Sequence, residues 1–205
     1  MKRRLTAGLV FGLLCSGQSL TIRLYDLANA PVGTVDRASA VAGQLLAGAG
    51  VIAIWKKGSP DFPEAQITDM SAGWSRTARD TREYLVVRIV RGIPAQVYPS
   101  ATGYSLPFAR AGAHATVFYD RVEKLWLNST VGPSTGSLLG AAMAHEIGHV
   151  LMRSTEHSAT GIMKARWGQA EFRLLACNRL QFSVEDGKAI ARNKIRPTFI
   201  VPEGL

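Results

Sequence analysis

The sequence predicts an α+β domain built on a mixed, mostly parallel sheet of about five strands, with one long helix behind it and a last helix near the C-terminus. Three observations carry this. Two strand-like segments within residues 20–57 are joined by a helix-length stretch, a connection that makes neighbouring strands parallel. Two more strand-like runs lie at 83–90 and 114–122, with a short proline-containing segment between them. From residue 132 onward, small and apolar residues recur at helical spacing. At 205 residues and 47% hydrophobic content the chain can bury one sizeable core, and nothing in its length calls for a second.

Element by element, LTIRLYDL alternates apolar and polar residues as a half-buried strand does. The next stretch has Pro31 near its start, apolar residues at Val35, Ala38, Val41, Ala42 and Leu45, and Gly48 and Gly50 at its end, the punctuation of a helix. VIAIWKKG reads as a second strand, and residues 57–80, rich in turn formers, as an irregular excursion. EYLVVRIV is apolar enough for a central strand. In GYSLPFARAG, Pro107 argues for an edge strand because proline donates nothing to a ladder. HATVFYDRV has the β-branched and aromatic content of another strand, and KLWLNST after it also has strand character. A long helix follows from GPSTG, capped by Ser134 or Ser137. FSVEDGKAIARNK is expected to be the last helix, with Ser183 as cap and Glu185 and Asp186 near its positive end.

The N-terminus reads as a signal peptide spanning residues 1–19: Lys2, Arg3 and Arg4, an apolar run from Leu5 to Cys15, then small or polar residues from Ser16 to Ser19. That run is about half the roughly 20 residues needed to span a bilayer. Leu14 is too bulky for Cys15 to serve as a lipoprotein cysteine. The expectation is a secreted or periplasmic monomer over residues 20–205, with no stable membrane span after processing. No inhibitory pro-segment is evident, and Cys15 is not placed to act as a latency switch. Cys177 would be the remaining cysteine, leaving no internal disulfide; its apolar surroundings predict a buried, unreactive thiol. Of the net charge of +9, the +6 left without Lys2, Arg3 and Arg4 is spread along the chain rather than clustered, so a nucleic-acid site is not expected.

Three of the four histidines lie within thirteen positions. His145 and His149 fall about 40° apart around a helix, while Leu139, Met143, Ile147 and Val150 form a different face suited to the core. One side should pack and the other present nitrogens. Two imidazoles so spaced can converge on one tetrahedral metal ion, Zn2+ being the expected cofactor. Glu146 projects beside them, placed to take a proton from a water molecule. His157, or its neighbour Glu156, could supply a third ligand and leave one coordination position open, as catalytic rather than structural zinc sites do.

H-E-x-x-H at His145, Glu146 and His149, the pair His157–Ser158, and GIM ending at Met163 together resemble the metzincin clan of zinc peptidases, and within it the matrixin-type minimal catalytic domain. The resemblance implies a zincin-like fold with an active-site helix, His145, His149 and His157 as metal ligands, Glu146 as general base, and Met163 in a turn beneath the metal. It also implies a peptide or protein substrate added as an extra strand along Tyr104, Ser105, Leu106, Pro107, Phe108 and Ala109. The chain departs from the family pattern in two ways. His157 follows His149 by eight residues instead of six, and Met152 stands where the family has a turn-forming glycine. With only His114 left over, the second, structural zinc site of matrixins should be absent, and His114 is expected to be an ordinary strand residue.

Three other readings compete with this one. A zinc-binding interaction domain that no longer cleaves would keep the metal without turnover. A basic binder of nucleic acid or anionic surfaces would need clustered charge. GPSTG fits G-x-S-x-G, but no histidine follows His157 to complete a serine triad; a turn and helix cap explain it better. Asn128 begins an N-S-T glycosylation acceptor, which matters only in a glycosylating source.

Overall fold

The first strand, β1 (Gln18–Asp26), buries Leu20, Ile22 and Leu24 on one face. The computed structural model describes residues 18–58, 84–92, 101–108, 113–130 and 132–193. Of the segment read as a leader, only Gln18 and Ser19 fall within these, already as part of β1. Helix α1 (Val32–Gly48) buries Val35, Ala38, Val41, Ala42, Leu45 and Leu46, and Gly50 at φ +81° turns the chain into β2 (Val51–Lys57). β2 runs parallel to β1, Gln18 opposite Val51, as the helical crossover requires. β3 (Tyr84–Val90) lies parallel on the other side of β1, and β5 (Ala113–Phe118) parallel to β3. β4 (Gly103–Ser105) joins β5 antiparallel, Gly103 opposite Val117. The order is β2-β1-β3-β5-β4, a five-stranded mixed sheet with β3 central and β4 outermost.

The chain then departs from the expected strand pattern. Strand β5 ends at Phe118, and Tyr119–Leu127 is a helix, α2, so neither DRV nor KLWL is extended. Tyr119 and Val122 point inward at helical spacing, Asp120 lies in the first turn and Lys124 in the last, each favourable to the helix dipole. The aromatic and β-branched content that reads as strand is here the buried stripe of a helix. The serine motif consequently follows a helix, and Ser134 is the N-cap of α3 (Thr135–Met152), accepting from Ser137 N at 3.2 Å.

α3 is buried on nearly every side, from Gly136 through His149, where sequence alone gave it one packed and one presenting face. It packs against α1 and against β5 and β4 of the sheet. At Gly140 an added Cβ would come within 2.5 Å of Ala38 O, so the two helices approach too closely for a larger residue. Burial on the histidine side comes from the chain folded back over it after Met152. Two shorter helices, α4 (Gln169–Ala176) and α5 (Val184–Arg192), complete the chain's C-terminal part. Cys177 caps the end of α4 and is exposed, not buried; Phe172 and Leu175 take the inward positions, and the helix ends before Cys177 comes round to them. None of the described helices is long and apolar enough to cross a membrane.

The turn after α3 is made by Arg153, in the left-handed region at φ 50° and ψ 47°. It stands one residue beyond Met152. A side chain there costs about 1 kcal/mol or more relative to glycine. Arg153→Gly should therefore raise the unfolding free energy by about 1 kcal/mol, read by urea denaturation, while Arg153→Val lowers it.

Candidate metal centre

α3 carries His145 and His149 one turn apart, and their ring orientations are set by backbone carbonyls. His145 Nδ1 donates to Ile162 O at 2.7 Å, and His149 Nδ1 donates to Ser154 O at 2.9 Å. A carbonyl can only accept, so both Nδ1 atoms carry the proton. Burial holds the His145 imidazolium down to a pKa of about 4 and lowers that of His149 as well, so at neutral pH both rings are neutral. Each Nε2 then has a bare lone pair, and the two lie 3.1 Å apart. Neutral rings in these tautomers cannot hydrogen-bond to one another through Nε2. Two imidazoles on one tetrahedral Zn2+ would stand about 3.3 Å apart at zinc–nitrogen distances of about 2.05 Å. The pair has the spacing and the lone-pair direction that such an ion requires.

His157 reaches the same point from the returning chain. Its ring centroid lies 5.2 Å from that of His145 and 4.9 Å from that of His149, and ligand atoms of all three lie within 4.8 Å of one another. The eight-residue spacing is accommodated by the turn at Arg153, tied by Ser154 N donating to His149 O at 3.1 Å and by Asn193 Nδ2 donating to Met152 O at 2.7 Å. Glu156 is exposed, with its backbone N–H donating to Ser154 Oγ, and is not in the group. His114 lies on β5 and is not in this group; its Nδ1 accepts from buried Arg88 at 3.0 Å.

Several contacts that shape the site have no warning in the sequence. Ser158, beside His157, donates N–H to Met163 O at 2.9 Å and Oγ–H to Asp186 Oδ1 at 2.5 Å. The other Asp186 oxygen accepts from Ser183 N in the capping box of α5. The S-x-x-D pattern announces the cap, but not that the same buried carboxylate holds the loop carrying His157. Trp167 donates Nε1–H to Ile162 O at 3.1 Å, sharing that carbonyl with His145, and stands edge-on to the His145 ring at 5.8 Å.

Met163 is fully buried beneath the helix, in the turn after Gly161. A Cβ on Gly148 would come within 2.6 Å of Met163 Sδ and 2.7 Å of Phe182 Cε1, so the glycine in HEIGH is the space into which the methionine packs. Gly148→Ala should lower the unfolding free energy by about 1–3 kcal/mol through overpacking, read by urea denaturation, the flexible Met163 side chain keeping the cost from being larger.

Glu146 is only 5% exposed. Burial pushes its carboxyl up to about 8, opposed by a hydrogen bond from the Ser105 side chain on β4. Of the segment expected to bind substrate, Gly103–Ser105 form β4, Leu106 N donates to His114 O at 3.0 Å, and Pro107 and Phe108 lie past the strand end. Ala109 is outside the described residues.

No protein-family model matches the chain, and no curated protein does. Among solved structures, it is similar to a zinc-dependent peptidase from Methanocorpusculum labreanum strain Z, at 14% identity and a TM-score of 0.51, covering 82% of this chain and 99% of that one. It is likewise similar to archaemetzincin from Methanopyrus kandleri, at 18% identity and a TM-score of 0.50, covering 88% and 98%. The chain therefore has the α+β fold seen in these zinc-dependent peptidases, with three histidines so gathered that they can hold a metal ion.

Proposed function

We propose that the protein is an exported zinc-dependent endopeptidase of metzincin type, with His145, His149 and His157 holding the metal and Glu146 acting as general base. The observation that carries the reading is the convergence of three imidazoles, two of them with Nδ1 held by backbone carbonyls and Nε2 left to bind, beside a buried carboxylate. A bound Zn2+ supplies Lewis acidity, polarising a carbonyl and bringing the pKa of water towards about 7. Glu146 takes the proton from the attacking water and passes it to the departing amine nitrogen. Burial raises the proton affinity of that carboxyl, which strengthens it as an acceptor of the water's proton. The backbone of β4, outermost in the described sheet, binds the peptide as an added strand.

The matrixin-like part of the reading rests on Ser158 following His157 and on Met163, and export on the N-terminal pattern of charge and apolar residues. The test is zinc content and cleavage of a broad peptide library by the purified chain, with and without chelator. One equivalent of zinc with chelator-sensitive internal cleavage is expected. Stoichiometric zinc without cleavage would instead favour an interaction domain.

A further inference from the structure

Glu146 lies against edge strand β4 as well as beside the histidines. At Gly103 an added Cβ would stand 2.9 Å from both Glu146 Cγ and Oε1, so the carboxylate rests directly on the strand where a side chain is missing. Strand alternation sends Ser105 to the same face as Gly103, opposite Ala115 and Val117 of the core, so its hydroxyl stands on the side of β4 against which the carboxylate rests. The intervening Tyr104 points to the other face, where its ring packs 5.9 Å from that of Phe118. Phe118 N donates to Thr102 O at 2.8 Å and Leu106 N to His114 O at 3.0 Å, so β4 is pinned at both ends. A glutamate side chain has three rotatable bonds, and helix α3 by itself leaves its carboxylate free to choose among rotamers.

We infer that β4 is the seat of the general base: Gly103 provides the space and Ser105 is a positioning residue whose hydroxyl orients the Glu146 carboxylate. This rests on the peptidase reading above and extends it. Because the same three residues would receive the peptide on their outer edge, docking of a substrate strand and alignment of the base become one event. A substrate that stiffens β4 stiffens the seat. Peptides long enough to pair with the whole strand should gain in turnover as well as in binding.

The experiment compares Ser105→Ala, Ser105→Thr and Glu146→Gln in the zinc-loaded full chain. Ser105→Ala should lower kcat about tenfold, the loss of one hydrogen bond to a charged group, with KM within about twofold and zinc stoichiometry unchanged. Ser105→Thr keeps the hydroxyl on a residue suited to a strand, and should restore kcat to within about threefold. Independently of activity, the side-chain carboxyl 13C resonance of Glu146, assigned by its absence in Glu146→Gln, should move in Ser105→Ala and return in Ser105→Thr. An unmoved resonance and unchanged kcat in Ser105→Ala, with Glu146→Gln inactive, overturns this inference alone. Peptidase activity surviving in Glu146→Gln overturns the peptidase reading and this inference with it.

Discussion

Glu146→Gln is expected to keep one equivalent of zinc and to lower kcat on a peptide substrate by about a thousandfold. The amide is nearly isosteric with the carboxyl and touches the same surroundings, so the helix, the three imidazoles and the seat at Gly103 stay in place. What disappears is a group able to take a proton and give it back. Within the described site no other carboxylate stands ready to replace it. Asp186 is bound to Ser158 and the cap of α5, Glu171 accepts from Lys164 at 2.7 Å, and Glu156 is exposed away from the cluster. KM should change little, because Glu146 is buried and the proposed place for the peptide is the edge of β4. Full time courses with zinc measured by mass spectrometry check both halves. Near-normal turnover in a zinc-loaded variant would sink the assignment of the base.

His157→Ala should weaken zinc binding by more than about a hundredfold, since even the outer partners of such ligands account for 10–100-fold; Glu156→Ala should stay within about twofold. The ranking is informative because the two residues are neighbours in one loop, so a merely disordered loop would penalise both alike. His157 is the member of the histidine group whose place depends on tertiary structure. It is exposed, carried by a loop, and held by Ser158, whose hydroxyl and N–H are both engaged. His145 and His149 would remain as a two-ligand remnant in His157→Ala, weak and open to chelators. Competition titration with a chromophoric chelator at neutral pH measures the effect. Protons interfere little there, because the neutral form of His145 persists down to about pH 4. The reverse order, with Glu156→Ala the damaging change, would show that the carboxylate is the third ligand.

How much of this was open to reading along the chain can be judged from particular residues. His145, Glu146 and His149 were legible because four residues on a helix are a fixed distance apart, whatever surrounds them. The helix–strand alternation up to β3 was legible for the same local reason, through period and punctuation. Segment 119–127 was not. Tyr119 and Val122 suit a strand and a buried helix stripe equally, and the packing of α2 against its neighbours decided between them. Cys177 failed as a core residue because α4 stops one position before it.

By itself, then, the sequence determined the α+β class, the helix with its paired imidazoles, the acidic residue beside them, and a methionine and a third histidine downstream. It could not settle how an eight-residue gap closes. That depends on Arg153 entering the left-handed region, on Asn193 tying the end of α3, and on Asp186, 28 residues beyond Ser158, holding the returning loop. Nor could it reveal that Gly148 makes room for Met163, or that Gly103 and Ser105 seat Glu146. Spacing within one helix follows from its geometry. Contacts between segments far apart in sequence exist only once the core has brought those segments together.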